Sequence, residues 1–137
     1  MVRGCDKIRE IKFKACNKKY KHWTYFSLDD AISVEGLFYS DYKNWCQYTG
    51  LKDKNGKEIY EGDILKSITL YGEVHYEPVV FKDGCFCKIT KLPHNKKKIY
   101  SRLGVHKYKN KLIVYEVIGN IYENPELIRN DYCIKKI

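Results

Sequence analysis

A chain of 137 residues with 44% hydrophobic content is long enough for one packed domain and too apolar for a disordered tail. Its 26 basic against 17 acidic residues leave a net charge of +9, which favours an anionic partner without bearing on fold. No apolar run reaches the roughly 18 residues that span a bilayer. The opening "MVRGCDKIREIKF" also lacks the apolar core of a secretory leader, so the expectation is a cytoplasmic protein whose six cysteines are thiols.

In chain order the signals are those of a β-protein. "REIKFKAC" (9–16) alternates, with Ile11, Phe13 and Ala15 on one face and Lys12 and Lys14 on the other. After the turn "NKK", "YKHWTYF" (20–26) completes an N-terminal β-hairpin. "SLDDAISVEGLF" (27–38) begins as a short helical turn, with Ser27 as cap and Asp30 closing a capping box.

The stretch "QYTGLKDKNGKEIYEGD" (47–63) reads as two turns in series. Asn55-Gly56 suits a type I′ turn between "LKDK" and "KEIY". Gly62 stands where a side chain would clash, and Asp63 is placed to bond backbone amides.

Further on, "IYEGDILKSITL" (59–70) reads as a strand kinked at Gly-Asp. "GEVHYEPVVF" (72–81) is another, with Pro78 marking a bend or an edge. "KDG" (82–84) is a tight turn into "CFCKITKL" (85–92). "KKIYSRLGV" (97–105) and "LIVYEVIGNIY" (112–122) add short strands. "ENPELIRN" starts a C-terminal helix, with Asn124 as cap and Pro125 at its first position. The prediction is a mainly β fold. It comprises a small SH3-like barrel or rolled antiparallel sheet over residues 59–122, an N-terminal β-hairpin subdomain and a short C-terminal helix. The whole of 1–137 is one domain, divisible into subdomains 1–50 and 51–137.

Motifs with chemistry are scarce. Glu58, Glu61 and Asp63 could be read as a metal-binding carboxylate cluster, but no histidine is near and the calcium-loop spacing is absent. Folding grammar is the better reading. Cys85-x-Cys87 puts two thiols on one strand face, without the C-x-x-C spacing of zinc sites. His22, His75, His94 and His106 accompany no nucleophile motif, metalloprotease motif or phosphate-binding loop. No catalytic residue, metal or cofactor is expected.

Three blocks carry a family resemblance. "QYTGLKDKNGKEIYEGDILK" (47–66), "REIKFKACNKKYK" (9–21) and "YEVIGNIYENPELI" (115–128) resemble the signature segments of the YopX family of phage and prophage proteins. This chain has Cys16-Asn17 where that family commonly has Trp-Asp. The resemblance implies a small β-rich protein of a bacteriophage or mobile element, with no established activity and no catalytic residues to transfer. Residues 27–46 and 67–114 match loosely, so partner specificity is expected there.

The charge is uneven: residues 91–111 hold eight basic residues and no acid, whereas 28–42 hold four acids and no base. Two classes of function follow. The first is a non-catalytic accessory protein that binds a host protein complex, such as nucleic-acid-handling or defence machinery, through Leu37, Phe38, Tyr39 and Tyr42. The second is direct nucleic-acid binding through Lys12, Lys14, Lys96, Lys97, Lys98, Tyr100, Arg102, Lys107, Tyr108 and Lys109, lysines meeting phosphates and rings stacking on bases. Further alternatives are sequestration of a small nucleotide and homo-oligomerisation. An AT-rich genome would produce the same lysines and tyrosines without any function attached.

Overall fold

The computed structural model describes residues 10–32, 41–68, 72–92, 95–104, 107–108, 111–112, 114–129 and 135–136. Among them, no helix is long and apolar enough to cross a membrane. The chain is mainly β. β1 (Lys12–Asn17) and β2 (Trp23–Ser27) form the N-terminal hairpin, with Lys14 opposite Tyr25 and Cys16 opposite Trp23. A short helix, α1 (Leu28–Ile32), follows. The Ser27 amide donates to Asp30 Oδ2 at 2.8 Å, and the Asp30 amide to Ser27 Oγ at 3.2 Å. This is the expected capping box, and its donors hold the Asp30 carboxyl below its ordinary range.

The long strand β3 (Tyr42–Asp53) pairs with β1 and with β4 (Glu58–Tyr60). It crosses residue 50, so the subdomain boundary suggested by composition falls inside a strand. Two short strands, β9 (Lys107–Tyr108) and β10 (Lys111–Leu112), extend this first sheet, β10 lying parallel to β3. The second sheet runs in the order β11 (Tyr115–Asn120), β5 (Asp63–Ile68), β6 (Glu73–Lys82), β7 (Cys85–Lys91), β8 (Lys98–Arg102). β12 (Lys135–Lys136) pairs with β6, and α2 (Glu126–Arg129) follows β11. The sheets are rolled and do not close into a barrel.

Several local expectations change in detail. At Asn55-Gly56 only the glycine takes positive φ, at 83°. The Gly56 amide donates to the Asp53 carbonyl and the Asp53 amide to the Lys57 carbonyl, which is a type I turn closed by a glycine bulge. The buried Asp53 carboxylate selects it, because Oδ1 accepts the amides of both Asn55 and Lys57. The type I′ geometry occurs instead at Asp83-Gly84, where φ is 51° and 80°. The Gly-Asp kink is a full turn that separates β4 in one sheet from β5 in the other.

Pro78 lies in an interior strand. The β5 pairing ends at Ile64 opposite Pro78, and the β7 pairing begins at Val79 opposite Lys88, so the proline marks the changeover. Asn124 does not cap α2 with its side chain. Its Oδ1 turns back to accept the Asn120 amide at 3.2 Å, over a Gly119 whose added Cβ would collide with it.

Ile59, Leu65, Val79, Leu103, Tyr115 and Val117 form the main core. Each buried aliphatic side chain stabilises the fold by about 1.5–3 kcal/mol. Within the second sheet lies a buried polar group: the Glu77 carboxylate accepts from Ser67 Oγ at 2.8 Å, from Lys88 Nζ at 3.1 Å and from Thr90 Oγ1. Burial alone would push the Lys88 ammonium down. Glu77 and Tyr115 outweigh it and hold Lys88 above its ordinary value.

Candidate functional site

The lysine face of β1 turns inward. Lys14 is 7% exposed, and its ammonium lies 3.0 Å from Asp63 Oδ1. It also sits 4.8 Å from the ring centre of Trp23 and 5.0 Å from that of Tyr60. Lys14, a nucleic-acid candidate from the sequence, is thus a buried ammonium enclosed by two rings and a carboxylate rather than a surface cation. Lys12 is tied to Glu10 and Glu58 and lies over the Tyr48 ring.

Asp63 opens β5 and fastens this corner. Its Oδ2 accepts the Tyr60 amide at 2.8 Å while Oδ1 takes Lys14. Burial pushes the Asp63 carboxyl up, and Lys14 opposes that shift. Gly62, at φ 82°, lets the turn come close to Tyr122, Ile121 and Cys46, where an added Cβ would stand 3.1 Å from the Tyr122 ring. The three carboxylates that could have formed a cluster separate: Glu58 goes to Lys12, Glu61 accepts the Gln47 amide, and Asp63 goes to Lys14.

On the other wall, the loop after β11 is wound around Asn120, whose Oδ1 accepts the amides of Tyr122 and Glu123. Glu123 accepts from the Trp23 indole and from Asn120 Nδ2, and these donors hold its carboxyl below its ordinary range. Between the two walls lies a groove of about 400 Å³, floored by Lys14 and Asp63 and flanked by Trp23, Tyr25, Tyr60 and Glu123. Exposed rings crowd its neighbourhood: Tyr25 at 59%, Tyr122 at 42%, and Tyr20 at 66% further along the hairpin. Trp23 and Tyr122 lie 6.0 Å apart, and Tyr25 meets Tyr60 edge-on at 5.7 Å.

All three sequence blocks supply this groove: Lys14 from the first, Lys57 to Asp63 from the second, and Val117 to Asn124 from the third. Sequence reasoning read the second block as folding grammar and gave Lys12 and Lys14 of the first to nucleic acid, and it missed Tyr25, Tyr60 and Glu123. The ring density of "HWTY" was the available signal.

A second surface lies at the far end of the other sheet. The β7–β8 register sets Cys87 opposite Arg102, Ile89 opposite Tyr100 and Lys91 opposite Lys98, so Lys91, Lys98, Arg102 and Tyr100 share a face. Lys82 joins them, its ammonium 4.4 Å from the Tyr100 ring centre. Lys96 and Lys97 occupy the turn before β8. This patch and Lys12 belong to different sheets.

Tyr42 is half-buried, packing edge-on against Phe26 at 5.2 Å and near Trp45. Leu37, Phe38, Tyr39 and Lys109 lie outside the described residues, as do the side chains of Lys107 and Tyr108.

A search of curated proteins returns no match. Among solved structures, the chain is similar to the crystal structure of protein EF1440 from Enterococcus faecalis. The identity is 25% and the TM-score 0.51, with 87% of this chain and 98% of that one covered. The family model described as YopX protein matches residues 6–129. With its signature blocks folded into one groove and a family match over nearly its whole length, the chain belongs to the YopX protein family.

Proposed function

We propose that this is a non-catalytic bacteriophage accessory protein, acting in the host cytoplasm, that binds a host protein complex such as nucleic-acid-handling or defence machinery. The observation that carries the reading is the ring-rich surface around the groove. Tyr25 and Tyr122 are exposed beside a half-buried Trp23, and acids and bases are interspersed there rather than of one sign. Tyrosine and tryptophan around a recess are the composition of interface hot spots, whereas a polyanion would favour an unmixed basic face. Phage origin enters through the resemblance of the three sequence blocks.

The test is a tagged pull-down from host lysate, run with and without nuclease. The expected outcome is a discrete protein that survives nuclease and a salt wash and is lost from the Tyr25→Ala/Tyr122→Ala variant. Recovery of nucleic acid alone, released by salt, would overturn the reading.

One observation favours nucleic acid as a second reading: Lys82, Lys91, Lys98 and Arg102 surround Tyr100 on one sheet face. A stacking ring framed by cations is the arrangement of single-strand binding platforms. Under this reading a labelled single-stranded oligonucleotide binds with a salt dependence that flattens in Lys98→Glu/Arg102→Glu. Binding unaffected by that variant would exclude the face.

A further inference from the structure

The pair Cys85 and Cys87 belongs to neither surface's binding rationale, yet its thiols meet: Sγ lies 3.4 Å from Sγ. Residues two apart on a strand share a face, but their Cα atoms stand about 6.6 Å apart, so sulfur contact requires both side chains to lean together. The type I′ turn at Asp83-Gly84 sets up the approach. It delivers Cys85 opposite Lys82, and the Cys85 thiol reaches back to the Lys82 carbonyl at 3.5 Å. Cys85 is half-buried and open to reagents, whereas Cys87 is 5% exposed beneath it.

We propose that Cys85 and Cys87 are a redox-active dithiol that small disulfides of the glutathione class oxidise reversibly to an intramolecular disulfide. The accessible Cys85 thiolate attacks one sulfur of the small disulfide. An S–S bond forms to Cys85, and one small thiol leaves with the electron pair of the broken bond. Cys87, having lost its proton to solvent, then attacks the Cys85 sulfur and expels the second small thiol. Two protein thiols are oxidised and one small disulfide is reduced to two thiols.

The product would be easily reversed. A Cα separation of about 6.6 Å lies at the long end of the 4.4–6.8 Å range for disulfides, and strained bridges are the reducible ones. Closure would also draw on Phe86 between the two cysteines, whose carbonyl accepts the Leu103 amide beyond β8.

The test uses the full chain, incubated with oxidised glutathione, alkylated and digested with trypsin. Cleavage after Lys82 and Lys88 leaves both cysteines on one peptide, residues 83–88. The expected result is that this peptide is lighter by two hydrogens and takes no alkyl group, and that prior treatment with a reducing thiol restores two alkylations. Two alkyl groups after oxidation, a stable glutathione adduct, or a link to a different cysteine would each overturn the proposal. In Cys87→Ser the glutathione must remain on Cys85; an unmodified Cys85 would remove it as the attacking thiol.

Discussion

The ammonium of Lys14 and the carboxylate of Asp63, 49 residues apart in the chain, meet at 3.0 Å beneath the groove and join the two sheets at one corner. Each charge is buried, so each depends on the other. Asp63→Ala strands the ammonium and also frees the Tyr60 amide, and it should cost about 3–5 kcal/mol. The double variant Lys14→Met/Asp63→Asn should cost less than the sum of its single changes, because no unpaired charge remains. Urea unfolding of the four proteins measures this coupling, and strict additivity would contradict it.

Gly62 and Gly50 separate backbone strain from crowding. Both have positive φ, at 82° and 86°, but an added Cβ meets Tyr122 at 3.1 Å in the first and nothing within 4 Å in the second. Gly50→Ala should cost about 1–2 kcal/mol, the price of a left-handed side chain. Gly62→Ala should cost clearly more. Equal shifts in thermal midpoint would show that the contact with Tyr122 yields freely.

Asp53 ties the β3–β4 turn to β11, accepting amides from Asn55, Lys57 and, 64 residues away, Val117. Hydrogen bonds to a buried charge contribute about 1.5–3 kcal/mol each. Asp53→Ala should therefore speed hydrogen exchange at Asn55, Lys57 and Val117 together. Faster exchange confined to the turn would mean that the two sheets are held by other contacts.

Acid should loosen the groove wall at Glu123. Its folded pKa lies below the ordinary 4.5, first through the Trp23 indole and then through Asn120. The associated stability is complete above that ordinary value and is lost as pH falls through the lower, folded value. Glu123→Gln keeps an acceptor oxygen but does not titrate. Its urea midpoint should fall less between pH 7 and pH 3 than that of the parent, and an identical fall in both would dismiss Glu123 as a contributor.

Features that depend on near neighbours are legible from residue order alone. The Ser27–Asp30 box, the presence of turns at Asn55-Gly56 and Asp83-Gly84 and the N-terminal hairpin all follow from chemistry within a few positions. The mainly β architecture also follows, from strand-length alternation between turn signals. What the tertiary structure decided are the partners. Periodicity places Lys12 and Lys14 on the face away from Phe13, but it is silent on whether that face meets water or an aspartate 49 residues later. Pro78 is tolerated in an interior strand because β6 changes partners there, and the turn at Asn55 is reshaped by a carboxylate that also holds Val117. The groove arises in the same way. Its lining comes from three segments far apart in the chain, and strand pairing across such distances rests on mutual burial and hydrogen bonding that no local pattern records.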